Sequence, residues 1–210
     1  MKRNPLNLAN TLTLLRVLSS AIFFSVFAAA PFFGVEPVAL VVSLTVLYSF
    51  LELTDALDGY VARRFGQVTD LGRVLDPMAD AVARVTVLLA FTLPPVCLPT
   101  WLVLPFLFRD SMTATLRILC AWRGVVLAAR ASGKIKAIVQ AATAFFVLGL
   151  MGLQATGWIC AAELTSAAST AVAISAAYAV GAAFEYLIAL RHQLKALAQP
   201  ASMTQVTNRP

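Results

Sequence analysis

Six runs of mainly apolar residues, each close to the length that crosses a bilayer, constrain this chain more than any other feature. They fall at Leu12–Ala30, Val38–Leu57, Val74–Leu93, Trp101–Ala121, Ile135–Leu153 and Ser166–Leu190. A helix needs about 20 such residues to span the hydrocarbon core. Pro31, Pro37, Pro94, Pro95 and Pro99 punctuate the gaps, where a residue without a backbone donor is tolerated. The runs are rich in Ala and Leu and lack period-2 alternation, which argues against a barrel of strands. The expected fold is an all-α integral membrane protein with six transmembrane helices. Composition agrees: 12% of residues are charged, against about 25% in an ordinary soluble domain.

The charges between the runs set a topology. Lys2 and Arg3 precede the first run, Arg63, Arg64 and Arg73 sit around the second gap, and Arg123, Arg130 and Lys134 fill the fourth. Arg191, Lys195 and Arg209 follow the last run. The alternate gaps, 31–37, 94–100 and 154–165, hold no Lys or Arg and only two acids, Glu36 and Glu163. By the positive-inside rule both termini and the second and fourth gaps are cytoplasmic. The first run contains Arg16 and no small-residue cleavage site, so it reads as a retained helix rather than a signal. Residues 1–199 then form one membrane domain, and 200–210 a polar tail expected to be disordered. The net charge of +6 comes without a Lys/Arg run or a nucleic-acid motif. No nucleic-acid partner is therefore expected, and the basic excess suits a lipid bilayer. Cys97, Cys120 and Cys160 form no CxxC or His-spaced set, and read as small buried apolar residues.

Against this apolar background, "DALDGYVARRFGQVTDLGRVLDPMAD" gathers four carboxylates at the cytoplasmic ends of the second and third runs. Asp55 and Asp58 are three apart, and Asp76 and Asp80 are four apart. Each spacing puts both acids on one helix face. The connection between the two runs lets the helices lie antiparallel as neighbours, so that four acids converge. Like charges so placed repel unless something neutralises them. Snorkelling acids paired with nearby arginines are one answer. A pair of hard divalent cations, held by carboxylate and phosphate oxygens, is the other, and the regular spacing favours it. Gly59 and Gly72 leave room for close approach, and Arg63 has the planar fork that suits a phosphate. An ion path through a transporter would instead call for charges near the midplane and an internal repeat. No internal repeat is present, and the four acids cluster at one face.

The pattern Asp55-x2-Asp58-Gly59-x2-Ala62-Arg63-x8-Gly72-x3-Asp76-x3-Asp80 resembles the signature of the CDP-alcohol phosphatidyltransferases, with every fixed position filled. The resemblance implies a six-helix membrane enzyme that displaces CMP from a CDP-linked lipid or alcohol. It implies Mg²⁺ or Mn²⁺, two ions, on Asp55, Asp58, Asp76 and Asp80, with Asp80 also the base. It implies a CDP pocket at Gly59, Ala62, Arg63 and Gly72, a homodimer, and a multi-pass location in the inner (cytoplasmic) membrane with the site facing the cytoplasm.

Three further stretches are similar to glycerophosphate-type members of that family. "NLANTLTLLRVLSS" carries Asn10, Thr13 and Arg16 as one polar stripe. "FRDSMTATLRILCAWRG" carries Arg109 and Arg117, and "SGKIKAIVQ" carries Gly133, Lys134 and Lys136. The resemblance implies CDP-diacylglycerol as donor and sn-glycerol 3-phosphate as acceptor, with Arg109, Arg117, Lys134 and Lys136 around the acceptor phosphate. Inositol phosphate, serine and phosphatidylglycerol are the alternative acceptors. From the residues alone, Arg109 equally suits a structural pair with Asp110, and Lys134 and Lys136 equally suit positive-inside anchoring. The chain departs from the glycerophosphate type at Ala81, where a basic residue is common, and at Asp110, where Glu is common.

Overall fold

The computed structural model describes residues 8–64, 70–122 and 131–198, with side chains for 11–57, 77–116, 135, 137–185 and 187–188. Six α-helices make up the described chain: α1 (Leu8–Ala29), α2 (Pro37–Arg64), α3 (Asp70–Ala90), α4 (Leu104–Trp122), α5 (Ala131–Ala155) and α6 (Ala161–Ala198). A short 3₁₀ turn at Thr100–Leu102 leads into α4. Each expected run is matched by one helix. Several helices outrun their apolar segments: α2 continues to Arg64, which puts Asp55, Asp58, Gly59, Ala62 and Arg63 on one continuous helix. The polar tail 200–210 lies outside the described residues.

Among the described residues α1, α2, α5 and α6 contain stretches long and apolar enough to cross a membrane. The other two, α3 and α4, are the helices that carry Asp76, Asp80 and Arg84, and Arg109, Asp110 and Arg117. Charge lowers their hydropathy, and the fold compensates by packing both into the bundle. The exterior is an apolar surface with large side chains such as Leu18, Val46, Phe108, Ile138, Ile174, Phe184 and Ile188 turned outward. Water would not tolerate a patch of that extent, whereas lipid does. Many inward positions are small: Ala79, Ala83, Ala90, Ala168, Ala176 and Ala179 are buried, with Ser19, Ser20 and Ser175. Small side chains let helices approach closely where lipid removes the usual hydrophobic drive. The protein is membrane-embedded.

Helix adjacency closes a ring. α1 packs against both α2 and α3, α2 against α5, α5 against α6, α6 against α4, and α4 against α3. Among the described residues α1 is the principal partner of both α2 and α3, and these two meet through side chains at the acidic cluster, where Asp55 stands beside Asp80 and Arg84. An aromatic cluster welds that corner. Phe23 and Phe27 of α1 meet Phe91, just past α3, at centroid distances of 6.2 and 6.1 Å, and Phe23 meets Tyr48 of α2 at 6.3 Å. Tyr48 in turn meets Phe145 of α5 edge-on at 4.8 Å.

The two acids of the otherwise uncharged gaps cap helices. A Glu36 carboxylate oxygen accepts from the Ala39 amide at 2.8 Å, with Pro37 at the first helical position of α2. A Glu163 oxygen accepts from the Cys160 amide at 2.8 Å at the start of α6, half of a capping box. The Thr165 hydroxyl donates to the Val96 carbonyl at 2.8 Å and ties the α3–α4 connection to α6. α5 ends where Gly157 adopts φ +80°, which lets the Trp158 amide reach back to the Leu153 carbonyl at 2.9 Å. The cysteine expectation fails for two of three. Cys97 and Cys160 are exposed free thiols, because each lies in a connection at a helix end rather than on an inward face. The Cys120 side chain lies outside the described ones.

Phe91 has no exposed surface and joins α1 to the α3–α4 connection. Phe91→Ala should lower unfolding stability by about 3–5 kcal/mol, the range for an emptied aromatic site. Thermal or denaturant unfolding in detergent checks this, and a change under about 1 kcal/mol would mean that the corner repacks.

Candidate active site

The described site begins with one guanidinium. Arg16 of α1 is 3% exposed, and its Nη1 donates to Asp55 Oδ1 of α2 at 2.9 Å and to Asp80 Oδ1 of α3. Because one nitrogen serves both oxygens, the two carboxylates stand within two hydrogen-bond lengths of each other. α1 thus supplies the bridge between the helices it packs against. The stripe of Asn10, Thr13 and Arg16 delivers it, since three-residue spacing keeps Thr13 and Arg16 on one buried face.

Arg84, one turn after Asp80, is the second cation. Its Nη2 lies 3.8 Å from Asp80 Oδ2 and 4.0 Å from Asp55 Oδ2. Glu52, one turn before Asp55, accepts from the Tyr48 hydroxyl at 2.7 Å. Arg16, Tyr48, Glu52, Asp55, Asp80 and Arg84 line a polar cavity between α1, α2 and α3. Tyr48 therefore has two jobs: its ring belongs to the aromatic corner, and its hydroxyl orients Glu52. Sequence reading passed over Arg84, Glu52 and Tyr48. The signal was there in the spacing, since Glu52 precedes Asp55 by three and Arg84 follows Asp80 by four.

The other expected residues divide into two groups. Asp58, Gly59, Ala62 and Arg63 lie on α2, Gly72 and Asp76 on α3, Arg117 on α4, and Lys134 and Lys136 on α5. Their side chains lie outside the described ones, so Asp55 and Asp80 are the part of the carboxylate set whose geometry is on view. Arg109 is not brought to the acidic cavity. Its Nη1 donates to its neighbour Asp110 at 2.8 Å, and it lines an apolar groove of about 400 Å³ between α4 and α6, with Phe108 and Phe184. The structural pair that the residues alone allowed is the one formed.

Among the described residues no three acidic, His or Cys side chains form a metal cluster by themselves. The donor chemistry nevertheless fits a hard divalent cation. Asp55 and Asp80 offer carboxylate oxygens from two helices at one point, and the Arg16 guanidinium shows that a cation is accepted between them. Asp58 and Asp76 stand one turn away on the same two helices.

A family model described as CDP-alcohol phosphatidyltransferase matches residues 6–179. A protein of Treponema pallidum named CDP-diacylglycerol–glycerol-3-phosphate 3-phosphatidyltransferase is 36% identical over 126 residues, 59% of this chain and 58% of that protein. A Bacillus subtilis protein of the same name is 36% identical over 145 residues, 64% of this chain and 72% of its own. The chain thus spans a little under three fifths of the first relative's length.

Arg16→Gln leaves two facing carboxylates without their bridge. The expected loss is about 2–3 kcal/mol, below that of a wholly buried pair because Asp55 and Asp80 keep 35% and 30% of their side chains exposed. Arg16→Lys, which retains the charge, should recover part of it. Melting curves of both variants without added metal check this, and equal stability of Arg16→Gln and wild type would contradict the bridge.

Proposed function

The chain belongs to the CDP-alcohol phosphatidyltransferase family, and from that premise we propose that it transfers a phosphatidyl group from CDP-diacylglycerol to sn-glycerol 3-phosphate. The products are phosphatidylglycerophosphate and CMP. The observation that carries the reading is the meeting of Asp55 and Asp80, from two helices, on one guanidinium in a polar cavity. The names of the two relatives support the choice of acceptor.

The family generally uses divalent metal ions. In this reading Asp55, Asp58, Asp76 and Asp80 hold two Mg²⁺ or Mn²⁺ ions. When bound, the ions neutralise the diphosphate and stabilise the departing CMP. The Asp80 carboxylate takes the proton of the acceptor hydroxyl. That oxygen forms a bond to the phosphorus carrying diacylglycerol, the anhydride bond breaks, and CMP leaves with the electron pair. Arg16 and Arg84 keep Asp55 and Asp80 facing one another before substrate arrives. Gly59, Ala62, Arg63 and Gly72 shape the CDP pocket, with Arg63 on its phosphates. Arg117, Lys134 and Lys136 take the acceptor phosphate. Arg109, occupied by Asp110 at the outer groove, is the weakest member of that set. The basic gaps support a cytoplasmic position for this end of the bundle, where the soluble acceptor glycerol 3-phosphate is found, and the family resemblance supports a homodimer in the inner membrane.

The test is CMP release by the purified protein with CDP-diacylglycerol, Mg²⁺ and a panel of acceptors. Turnover should require glycerol 3-phosphate. Turnover with inositol phosphate, serine or phosphatidylglycerol in its place would move the protein elsewhere in the family. Asp80→Asn should cost at least about 10²–10⁴-fold in rate, the usual contribution of a general base. Half of wild-type turnover in that variant would remove Asp80 from its role.

Arg117→Ala separates the substrates. A lost charge-assisted contact, about 1.5–3 kcal/mol, should raise KM for glycerol 3-phosphate about ten- to a hundredfold. KM for CDP-diacylglycerol should stay near wild type. Equal weakening of both, with a lower melting temperature, would make Arg117 a structural residue.

A further inference from the structure

A second small cavity lies at the axis of the helix ring, with walls from five helices. Tyr48 of α2, Arg84 of α3, Phe106 of α4, Gln140 and Thr143 of α5 and Ser175 of α6 line it. Tyr48 and Arg84 also line the acidic cavity, so the two spaces share a wall.

Polar side chains within these spans usually satisfy themselves. The hydroxyls of Ser43, Thr45, Ser49, Thr143 and Thr170 each donate to the carbonyl four residues back, at 2.7–2.9 Å. At the axis the Thr143 proton is committed in this way, and the Tyr48 proton goes to Glu52. Gln140 and Ser175 break the rule. Gln140 is 8% exposed, and neither its amide oxygen nor its nitrogen meets a hydrogen-bonding protein group. Ser175 is 2% exposed, and its hydroxyl is in the same position. Buried polar groups of native proteins are almost always paired, so these two need a partner that is not protein.

The cavity defines that partner. Its space for the centre of a water molecule is about 20 Å³, enough for one water by the usual threshold of about 10–15 Å³ and too small for glycerol or phosphate. A cation would face the Arg84 guanidinium. The wall offers donors from Arg84 and the Gln140 nitrogen, an acceptor from the Gln140 oxygen, and both from Ser175. Only a ligand that both donates and accepts satisfies such a set. We propose that Gln140 and Ser175 hold a resident water at the bundle axis, and that this water positions Arg84 from behind.

Arg84 has use for such support. Its 3.8 and 4.0 Å approaches to Asp80 and Asp55 are longer than the roughly 2.7–2.9 Å of a direct charge-assisted hydrogen bond. Asp110 and Glu52 add attraction at longer range, and the contacts with Asp80 and Asp55 still leave the guanidinium without a direct hydrogen bond to either. A water bonded to Gln140 and Ser175 supplies the missing anchor, and Gln140 and Ser175 become positioning residues for the Asp55–Asp80 pair. This role rests on the metal-site reading above, but the water site itself does not.

Two measurements test the proposal. A structure of the full chain in detergent or nanodiscs, at a resolution that shows waters, should have a density peak within about 2.6–3.2 Å of both the Gln140 amide and the Ser175 hydroxyl, the range of a hydrogen bond. An empty cavity, or direct pairing of the two side chains, overturns the proposal. The second measurement is Mn²⁺ affinity by electron paramagnetic resonance, with no substrate present. Gln140→Leu and Ser175→Ala should each weaken Mn²⁺ by about tenfold or more, as loss of a supporting shell does. The double variant should be no worse than the poorer single one, and Ser175→Thr, which keeps the hydroxyl, should stay near wild type. Unchanged Mn²⁺ affinity in Gln140→Leu together with a raised melting temperature would show that the amide holds nothing, and would overturn the positioning role. If the wild type binds no Mn²⁺, the metal-site reading and the positioning role fall together, and the density peak alone decides the water site.

Discussion

The contact of Arg16 with Asp55 and Asp80 is the constraint on which the rest of this structure turns. Two carboxylates in a membrane protein repel each other and resist desolvation, so helices that carry them do not pack face to face unaided. The chain answers with a third helix. α1 enters between α2 and α3, and its single buried guanidinium meets both acids. A pair held in this way is assembled before any substrate is present, with a cation already between the two acids.

The ring of helices follows from that corner. Once α1 is committed to α2 and α3, the remaining helices close the circle, α5 beside α2 and α4 beside α3, with α6 joining them. The aromatic contacts of Phe23, Phe27, Phe91 and Tyr48 set the distance between the charged layer and the outer gaps. Tyr48 ties the two layers together, with its ring in the aromatic corner and its hydroxyl on Glu52. The ring also leaves an axis. Polar groups there cannot reach lipid headgroups or bulk water, so each must find a partner inside, and Gln140 and Ser175 stand out because the backbone of their own helices does not supply one.

Lipid relaxes the usual rule of burial. Large side chains such as Phe108, Phe184 and Ile188 face outward, while Ala168, Ala176 and Ala179 form the inner face of α6. Two small residues illustrate the consequence. A side chain at Gly152 would meet Val41 of α2 at 3.7 Å, and Ala183 is buried beside the α4–α6 groove. Both serve packing within the chain.

The sequence by itself determined six helices, their approximate limits, and which gaps are basic. These depend on the length and polarity of local runs, and lipid permits no other backbone solution for such runs. It also marked Asp55 and Asp80 as members of one site, because helical spacing and the family signature are both local in the chain. Only the tertiary structure decided what stands between them. That Arg16 bridges the pair, that Arg84 and Glu52 join it, and that Arg109 turns to Asp110 at an outer groove all depend on which helices become neighbours. Neighbour choice is a property of packed surfaces, summed over contacts distant in sequence. Glu36 and Glu163 were legible as charges, but their capping roles needed the helix starts fixed to a single residue. Cys97 and Cys160 read as buried from composition and lie exposed, because burial depends on the face a residue presents once the helix ends have been placed.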